Sequence, residues 1–359
     1  MTFAIAAAGT AGHVYPGLAV AEALVAQGVD PSDVLFIGGD RLEATAVPAA
    51  GFRLLSVPLQ GLSRRLTARN LTIPAKLARA VRRVRRELAN RAVGVLLATG
   101  GYVAAPAGWA ARSEGIPFYL SEQNAVAGLA NRVMERWAVR SFASFSRTSG
   151  LKKADWVGNP VRADLARLDR LSLRKEAFCR YDLVDGLPVV GVMGGSLGAA
   201  AINRGVAEML GEWKGDPVQV VHLAGEIHTD EMTRAAEDAD HRWRVVGFER
   251  RMDFFYSACD VVVARAGGGV AELIIAGLPS VLVPGEFGSA GHQAANAAAL
   301  EDVGAAVIVP EPRLGELGSV LADLLADPDR RTRMSEAAAG IARPRAAETI
   351  AEELRRCLV

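Results

Sequence analysis

Asp260–Leu300 reads DVVVARAGGGVAELIIAGLPSVLVPGEFGSAGHQAANAAAL, and its texture sets the fold class. Val261–Val263 is a β-branched run of the kind that fills a buried parallel strand. Gly267, Gly268 and Gly269 follow, and Val270–Ala276 reads as a helix stopped by Gly277 and Pro279. Ser280–Val283 then returns as a strand, and a loop and a further helix complete the stretch. Strand, glycine turn, helix and strand make the unit of a parallel α/β sheet. Glycines at such a junction let backbone N–H groups come close to a ligand, and the helix start adds partial positive charge. That combination suits a diphosphate. Glu272 falls in the first helical turn, where its carboxylate can accept bonds from sugar hydroxyls or simply complement the helix dipole.

The same alternation runs through the whole chain. Thr2–Ala8, Val34–Gly38, Val93–Thr99 and Pro117–Leu120 read as strands with helices between them, the first helix around Pro16–Gln27. A second series begins at Val189–Met193 and continues through Val218–Leu223, Val261–Val263, Ser280–Val283 and Ala305–Val309. Between the series, Asp155–Pro160 (DWVGNP) looks like an interdomain crossing, with Asn-Pro as a turn. A chain of 359 residues exceeds what one core usually organises, so two domains are expected. Their expected limits are 1–158 and 159–342, with 343–359 as a terminal helix that packs back on the first domain.

Composition removes several classes of function. Half the residues are hydrophobic, 23% are charged and the net charge is +1, so no global field draws the chain to nucleic acid. Cys179, Cys259 and Cys357 are widely spaced, which argues against a disulfide framework and a thiolate metal site. No apolar run has the length of a membrane span, and MTFAIAAAGTAGH lacks the basic start of a signal peptide. A cytoplasmic protein is expected.

Three more strand ends carry polar or glycine-rich turns. In GTAGHVYPG (Gly9–Gly17), His13 stands beside a helix start, either as a base or phosphate partner or as a capping or packed histidine. TGGYVAAPAG (Thr99–Gly108) offers a second anion-binding turn, and SEQNAVAGLANR (Ser121–Arg132) begins at the end of Pro117–Leu120. Ligands of open α/β sheets bind outside the C-terminal ends of strands, so these turns can share one site. Gly194–Gly198 lacks the full dinucleotide fingerprint, and Asp238 and Asp240 lie in a polar, helical run, EDADHRW, as solvated side chains. No His, Cys or carboxylate cluster has metal spacing and no GxSxG elbow occurs.

GTAGHVYPGLAVAEAL, TGGYVAAPAG, SEQNAVAGLANR, VGNPVR, GGSLGAAAIN and AELIIAGLPSVLVP with HQAANA follow one another in the order of one family. The chain resembles the MurG family of bacterial peptidoglycan synthesis. Its members are UDP-N-acetylglucosamine:undecaprenyl-pyrophosphoryl-muramoyl-pentapeptide N-acetylglucosaminyltransferases. The resemblance covers nearly the whole chain. It implies the GT-B architecture, two Rossmann-like parallel-sheet domains facing across a cleft, with lipid I held by the first and the nucleotide sugar by the second. No metal or cofactor is implied. Thr10, Ala11 and Gly12 would face the donor sugar and acceptor diphosphate, with His13 beside them. Asn124 would contact N-acetylglucosamine, and Arg162 and Ser196 would hold the donor diphosphate. Gly247–Phe248–Glu249 would meet uracil through its backbone, Glu272 the ribose, Gln293 the sugar hydroxyls, and the loop carrying Gly268 and Gly269 the α-phosphate.

Three departures from the family pattern stand out. Ser121 replaces the His of HEQN, and Leu197 the polar residue of GSQGA. The loop from Arg265 to Glu272 is one residue shorter than usual and lacks a Thr, so a backbone nest would have to take over its phosphate bonds. The implied step is inverting displacement by the C4 hydroxyl of lipid I at the anomeric carbon, giving lipid II, with His13 as first candidate base and Glu122 as second. Two alternatives share the fold: a UDP-N-acetylglucosamine 2-epimerase, and a UDP-sugar-binding homologue without turnover. Finally, the segment from Arg64 to Arg91 holds ten basic residues and one acid, Glu87, with Ile73, Leu77, Val81, Val84 and Leu88 at helical spacing. The expectation is a basic amphipathic helix for an anionic membrane surface on the cytoplasmic face. Leu66, Leu71 and Ile73 are the candidates for shallow insertion.

Overall fold

The computed structural model describes residues 2–57, 73–195, 198–285 and 291–358. The described chain divides into two compact units, Met1–Ala163 with Arg343–Val359, and Asp164–Ala342. Asn159–Ala163, which the sequence reading gave to the second domain, therefore belong to the first.

The first unit alternates strand and helix: β1 (Thr2–Ala7), α1 (Ala11–Ala26), β2 (Val34–Gly38), α2 (Leu42–Ala49), β3 (Arg53–Ser56), α3 (Ile73–Asn90) and β4 (Val93–Gly100). Next come α4 (Ala104–Ser113), β5 (Phe118–Glu122), α5 (Leu129–Met134), β6 (Arg140–Ala143) and β7 (Ala154–Trp156). The seven strands are parallel in the order β3-β2-β1-β4-β5-β6-β7. β1 shows why both faces are covered. Phe3, Ile5 and Ala7 pack on one side with Leu24 of α1, while Ala4 and Ala6 face Val84 and Leu88 of α3 on the other.

The second unit begins within α6 (Ala163–Ala166), at Asp164, and contains α7 (Arg170–Tyr181), β8 (Val189–Met193), α8 (Ala200–Gly211), β9 (Gln219–Leu223), α9 (Thr229–Glu237) and β10 (Arg242–Val246). It continues through α10 (Met252–Ala258), β11 (Val261–Ala264), α11 (Val270–Ala276), β12 (Ser280–Leu282), α12 (His292–Glu301), β13 (Ala306–Ile308), α13 (Leu317–Ala326) and α14 (Pro328–Ile341). Its six parallel strands run β10-β9-β8-β11-β12-β13. Both sheets thus reverse winding direction beside their first strand, between β1 and β4 and between β8 and β11. These are the two-domain, all-parallel α/β architecture and the switch points at which doubly wound sheets bind ligands.

Two local readings change. α1 starts at Ala11 rather than near Pro16, so Ala11, Gly12 and His13 form its first turn. Pro16 is carried inside the helix, at the loss of a bond to the carbonyl four residues back. The run EDADHRW is not one helix: α9 ends at Glu237 and Arg242 opens β10, an edge strand whose charged start disguised it. Asp238 and Asp240 are exposed.

The last helix, α15 (Ala346–Arg356), returns to the first unit. Its Ile350, Ala351 and Leu354 enter the core beside Val20 and Leu24 of α1. Removing the buried Leu354 side chain leaves a cavity in that core. Leu354→Ala is expected to destabilise the first unit by about 2–5 kcal/mol in denaturant unfolding, and a loss under about 1 kcal/mol would show that α15 contributes little to the core.

Candidate active site

In the first unit, the turns after β1, β4 and β5 come together at adjacent strand ends. Gly9 takes φ +101°, a conformation that favours glycine, and turns the chain into α1. Thr10 is the N-cap residue, with no side-chain cap bond and no acid in the first turn, so the positive end of α1 is presented at the turn. His13 sits there with Nδ1 3.2 Å from Thr10 Oγ1, and its backbone carbonyl accepts from Thr99 Oγ1 at 2.8 Å. Gly100, at φ +111°, makes room for the ring: a Cβ there would stand 2.7 Å from His13 Cδ2 and 3.6 Å from Gln123 Oε1. One missing side chain thus brings a residue from each of the three turns together.

A residue that the sequence reading passed over holds this arrangement. Glu43, in α2, is fully buried and accepts from the backbone N–H of Gly9 at 3.1 Å, from that of Gly39 at 2.8 Å, and from the Tyr102 hydroxyl at 3.1 Å. Gly39 is required at close quarters, because a Cβ there would lie 1.7 Å from Tyr102 Oη. Burial alone would raise the Glu43 carboxyl, but these N–H groups and the tyrosine hold it below the ordinary glutamate value. The partner tyrosine shifts up, through burial first and the adjacent carboxylate second. The only signal in the sequence is a glutamate at the start of an amphipathic helix, which normally means a solvated face.

Glu122 is also buried and equally committed. Its Oε1 accepts from the backbone N–H and Nδ2 of Asn124 at 3.1 and 3.0 Å, and its Oε2 from Gly128 N–H and Asn131 Nδ2, both at 2.9 Å. Four donors fill the capacity of a carboxylate, so the geometry makes Glu122 the brace of the Asn124 loop rather than a base. Ser121 is buried and accepts from Gln123 Nε2 through both its carbonyl and its hydroxyl, at 3.0 and 3.2 Å. Arg162 belongs to this unit, near the point where the chain leaves it.

In the second unit, Glu272 does stand in the first turn of α11, and the buried Tyr256 donates to its Oε2 at 2.6 Å. Tyr256 comes from α10, so two helices fix this carboxylate. The glycine loop before it differs from expectation. Val270, Ala271 and Glu272 N–H groups bond back to the carbonyls of Gly267, Gly268 and Gly269, and none of these glycines has positive φ. The alternating left- and right-handed nest expected to replace the lost Thr is therefore absent, and the glycines serve close approach instead. Gln293, in α12, accepts from Gly285 N–H at 2.9 Å. Asn296, one turn later on the same helix face, donates to Ala266 O at 3.0 Å, a partner that the HQAANA spacing could have revealed. Arg265 joins them by an ion pair to Glu311 at 2.6 Å and a bond to Val283 O at 3.2 Å.

Glu249 is buried against Arg180, the Tyr181 hydroxyl and the Arg251 N–H. With its carboxylate used, the Gly247–Glu249 segment has only backbone and the partly exposed Phe248 ring to offer a base. Ser196 and Leu197 lie outside the described residues. Among the described residues no three His, Cys, Asp or Glu side chains gather as metal ligands.

The comparisons with known proteins agree across both units. Residues 3–143 match the glycosyltransferase family 28 N-terminal domain, and residues 189–350 match the family 28 C-terminal domain. A Salinibacter ruber UDP-N-acetylglucosamine–N-acetylmuramyl-(pentapeptide) pyrophosphoryl-undecaprenol N-acetylglucosamine transferase is 42% identical over 361 residues, covering 96% of this chain and 94% of the relative. The crystal structure of Acinetobacter baumannii MurG superposes with a TM-score of 0.79 at 28% identity, over 99% of this chain and all of that one. A UDP-GlcNAc 2-epimerase from Neisseria meningitidis has a TM-score of 0.70 at 13% identity, over 99% of this chain and 100% of that one, and shares the fold alone.

The Glu43 brace makes a pH-dependent prediction. Its lowered carboxyl stabilises the fold above the ordinary glutamate value of 4.5, and that stabilisation disappears as pH falls through the lower folded value. Glu43→Gln should therefore cost about 1–3 kcal/mol at pH 7, with the gap to the parent protein closing in acid unfolding series below pH 4.5. A gap that stays constant down to pH 3 would rule out the charged brace.

Proposed function

The chain belongs to glycosyltransferase family 28, and from that membership we infer an enzyme of peptidoglycan synthesis that transfers N-acetylglucosamine from UDP-N-acetylglucosamine to lipid I, forming lipid II. The observation that carries the reading is the end-to-end match, at 42% identity, to a transferase named for that activity. The epimerase reading wants several available carboxylates around a sugar. Glu43 and Glu122 are instead bound to backbone N–H groups, which favours transfer.

In the proposed step the C4 hydroxyl of lipid I forms a bond to the anomeric carbon from the face opposite UDP, and the carbon–oxygen bond to the diphosphate breaks. The product has an inverted, β1→4 link and no metal takes part. His13 receives the hydroxyl proton: it lies in the first turn of α1, with Nδ1 3.2 Å from Thr10 Oγ1 and Nε2 on the Gly100 side. Thr10, Ala11, Gly12 and the uncapped end of α1 face the acceptor diphosphate and the donor sugar, and Asn124, oriented by Glu122, contacts the acetamido sugar. In the second unit Glu272, aimed by Tyr256, takes the ribose and the Gly247–Glu249 backbone takes uracil. The Gly267–Gly269 loop, with Ser196, takes the leaving diphosphate, and Gln293 a sugar hydroxyl.

The test is incubation with UDP-N-acetylglucosamine and a short-chain lipid I analogue. A disaccharide product supports transfer, N-acetylmannosamine would mean epimerisation, and binding without product would mean a homologue without turnover. Within a working transferase the two units separate. His13→Ala should lower turnover by about 100-fold or more with UDP affinity intact. Glu272→Ala should weaken UDP binding by about 2 kcal/mol in calorimetry. Unchanged turnover in the first variant or unchanged affinity in the second removes that residue from its role.

We also propose that this enzyme works at an anionic membrane surface on the cytoplasmic side. Val84 and Leu88 of α3 are buried in the first unit's core, so the apolar stripe packs on its own domain. Lys76, Arg79, Arg82, Arg83 and Arg86 are exposed on the helix and support reversible electrostatic binding. Leu66 and Leu71 lie outside the described residues, as does the Ile73 side chain. No described helix is long and apolar enough to cross a membrane. Sedimentation with anionic vesicles should show binding at low salt that is lost at high salt. Equal binding to neutral vesicles, or none to either, would overturn this.

A further inference from the structure

Gln123 lies between two residues already given roles, Glu122 and Asn124, and has none itself. Its side chain is only 5% exposed. The carboxamide cannot choose its orientation, because Nε2 donates to both the carbonyl and the hydroxyl of Ser121. Both of those partners are acceptors towards an amide N–H, so the oxygen must point the other way. Oε1 then has no hydrogen-bond partner among the described residues, and it lies near the His13 ring at Gly100, where a Cβ would stand 3.6 Å from Oε1 and 3.0 Å from His13 Nε2. A buried acceptor without a donor costs the folded protein about 1–3 kcal/mol. Proteins keep such a group where a bound molecule supplies the missing donor.

We propose that Gln123 Oε1 is a substrate-binding acceptor that receives a sugar hydroxyl next to the His13 imidazole. This rests on the reading above that the N-terminal glycine turn holds the reacting sugars. The site supplies the reason for the class of ligand. A hydroxyl both donates to a carbonyl and fits beside a histidine, whereas a diphosphate diester or a carboxylate has no proton to give at neutral pH and would face the partly negative amide oxygen with its own negative charge. Ser121 takes part indirectly: with a hydroxyl and a carbonyl at this position, Gln123 is held with its oxygen towards the sugar.

The test compares the native protein with Gln123→Met, which keeps the length and removes the acceptor, and with Gln123→Leu, a second variant without the acceptor that guards against a Met variant that fails to fold. Each is assayed with UDP-N-acetylglucosamine analogues lacking one hydroxyl of the sugar in turn, and with a lipid I analogue lacking the muramyl C6 hydroxyl. For one of these deoxy substrates, the native protein should lose 10-fold or more in kcat/KM, while Gln123→Met and Gln123→Leu, already slow with the full substrate, lose less than 2-fold further. The thermal midpoint of substrate-free Gln123→Met should not fall by more than a few degrees, since the unpaired acceptor is removed along with the two Nε2 bonds and Ser121 O keeps its bond from Asn131 Nδ2 at 3.3 Å. If every deoxy substrate costs the native protein and Gln123→Met the same factor, Gln123 serves folding only and the proposal falls. If the native protein forms no disaccharide, the transferase reading itself fails, a result distinguishable from the first.

Discussion

In a parallel sheet every strand ends at the same edge, and that constraint organises each unit of this chain. The order of both sheets places a winding reversal beside the first strand, where two neighbouring connections depart to opposite faces and leave space between them. In the first unit the glycine turn after β1 and the turn after β4 border that space, and the loop after β5 is next along the edge. In the second, the loops after β8 and β11 occupy the equivalent place. The chemistry therefore depends on turns, and turns need to be held.

Buried carboxylates do much of the holding. Glu43 ties the turn after β1 to those after β2 and β4, Glu122 closes the loop after β5, and Glu249 pins the segment after β10 to α7. Each acts through hydrogen bonds to its charged form, which offset the cost of burial. In the second unit amides do similar work: Asn203 of α8 donates to Ala224 O after β9 and meets His222, whose burial pushes its imidazole down to about 3. His222 is thus a neutral core residue despite being one of only five histidines.

This division of labour explains what could be read from the sequence. β-branched strands, glycine turns and helices of period 3.6 announced both sheets, because burial on two faces leaves little freedom in composition. The edge strands β3, β7 and β10 were missed or misread, since a half-exposed strand tolerates the arginines of RLLS and RWRVV. Candidate ligand-binding residues were legible where a motif concentrates them, as at Gly9–His13 or Asn124. Braces were not. Glu43 is separated by 34 residues from Gly9, and Tyr256 by 16 from Glu272, and no local pattern encodes such pairs. Glu122 looked like a base because sequence shows a carboxylate but not the four donors around it.

The choice of base follows from the same accounting. A general base needs a lone pair directed at the incoming proton and a protonation equilibrium near working pH. A carboxylate with its oxygens filled by N–H donors fails the first condition, because protonating it would break the bonds that shape the site. An imidazole separates the two tasks between its nitrogens. Nδ1 of His13 stands 3.2 Å from Thr10 Oγ1, while the Nε2 edge lies over Gly100, whose missing Cβ makes room for the ring itself. In the proposed transfer step, the bond at Nδ1 would orient the ring and the proton would be taken at Nε2.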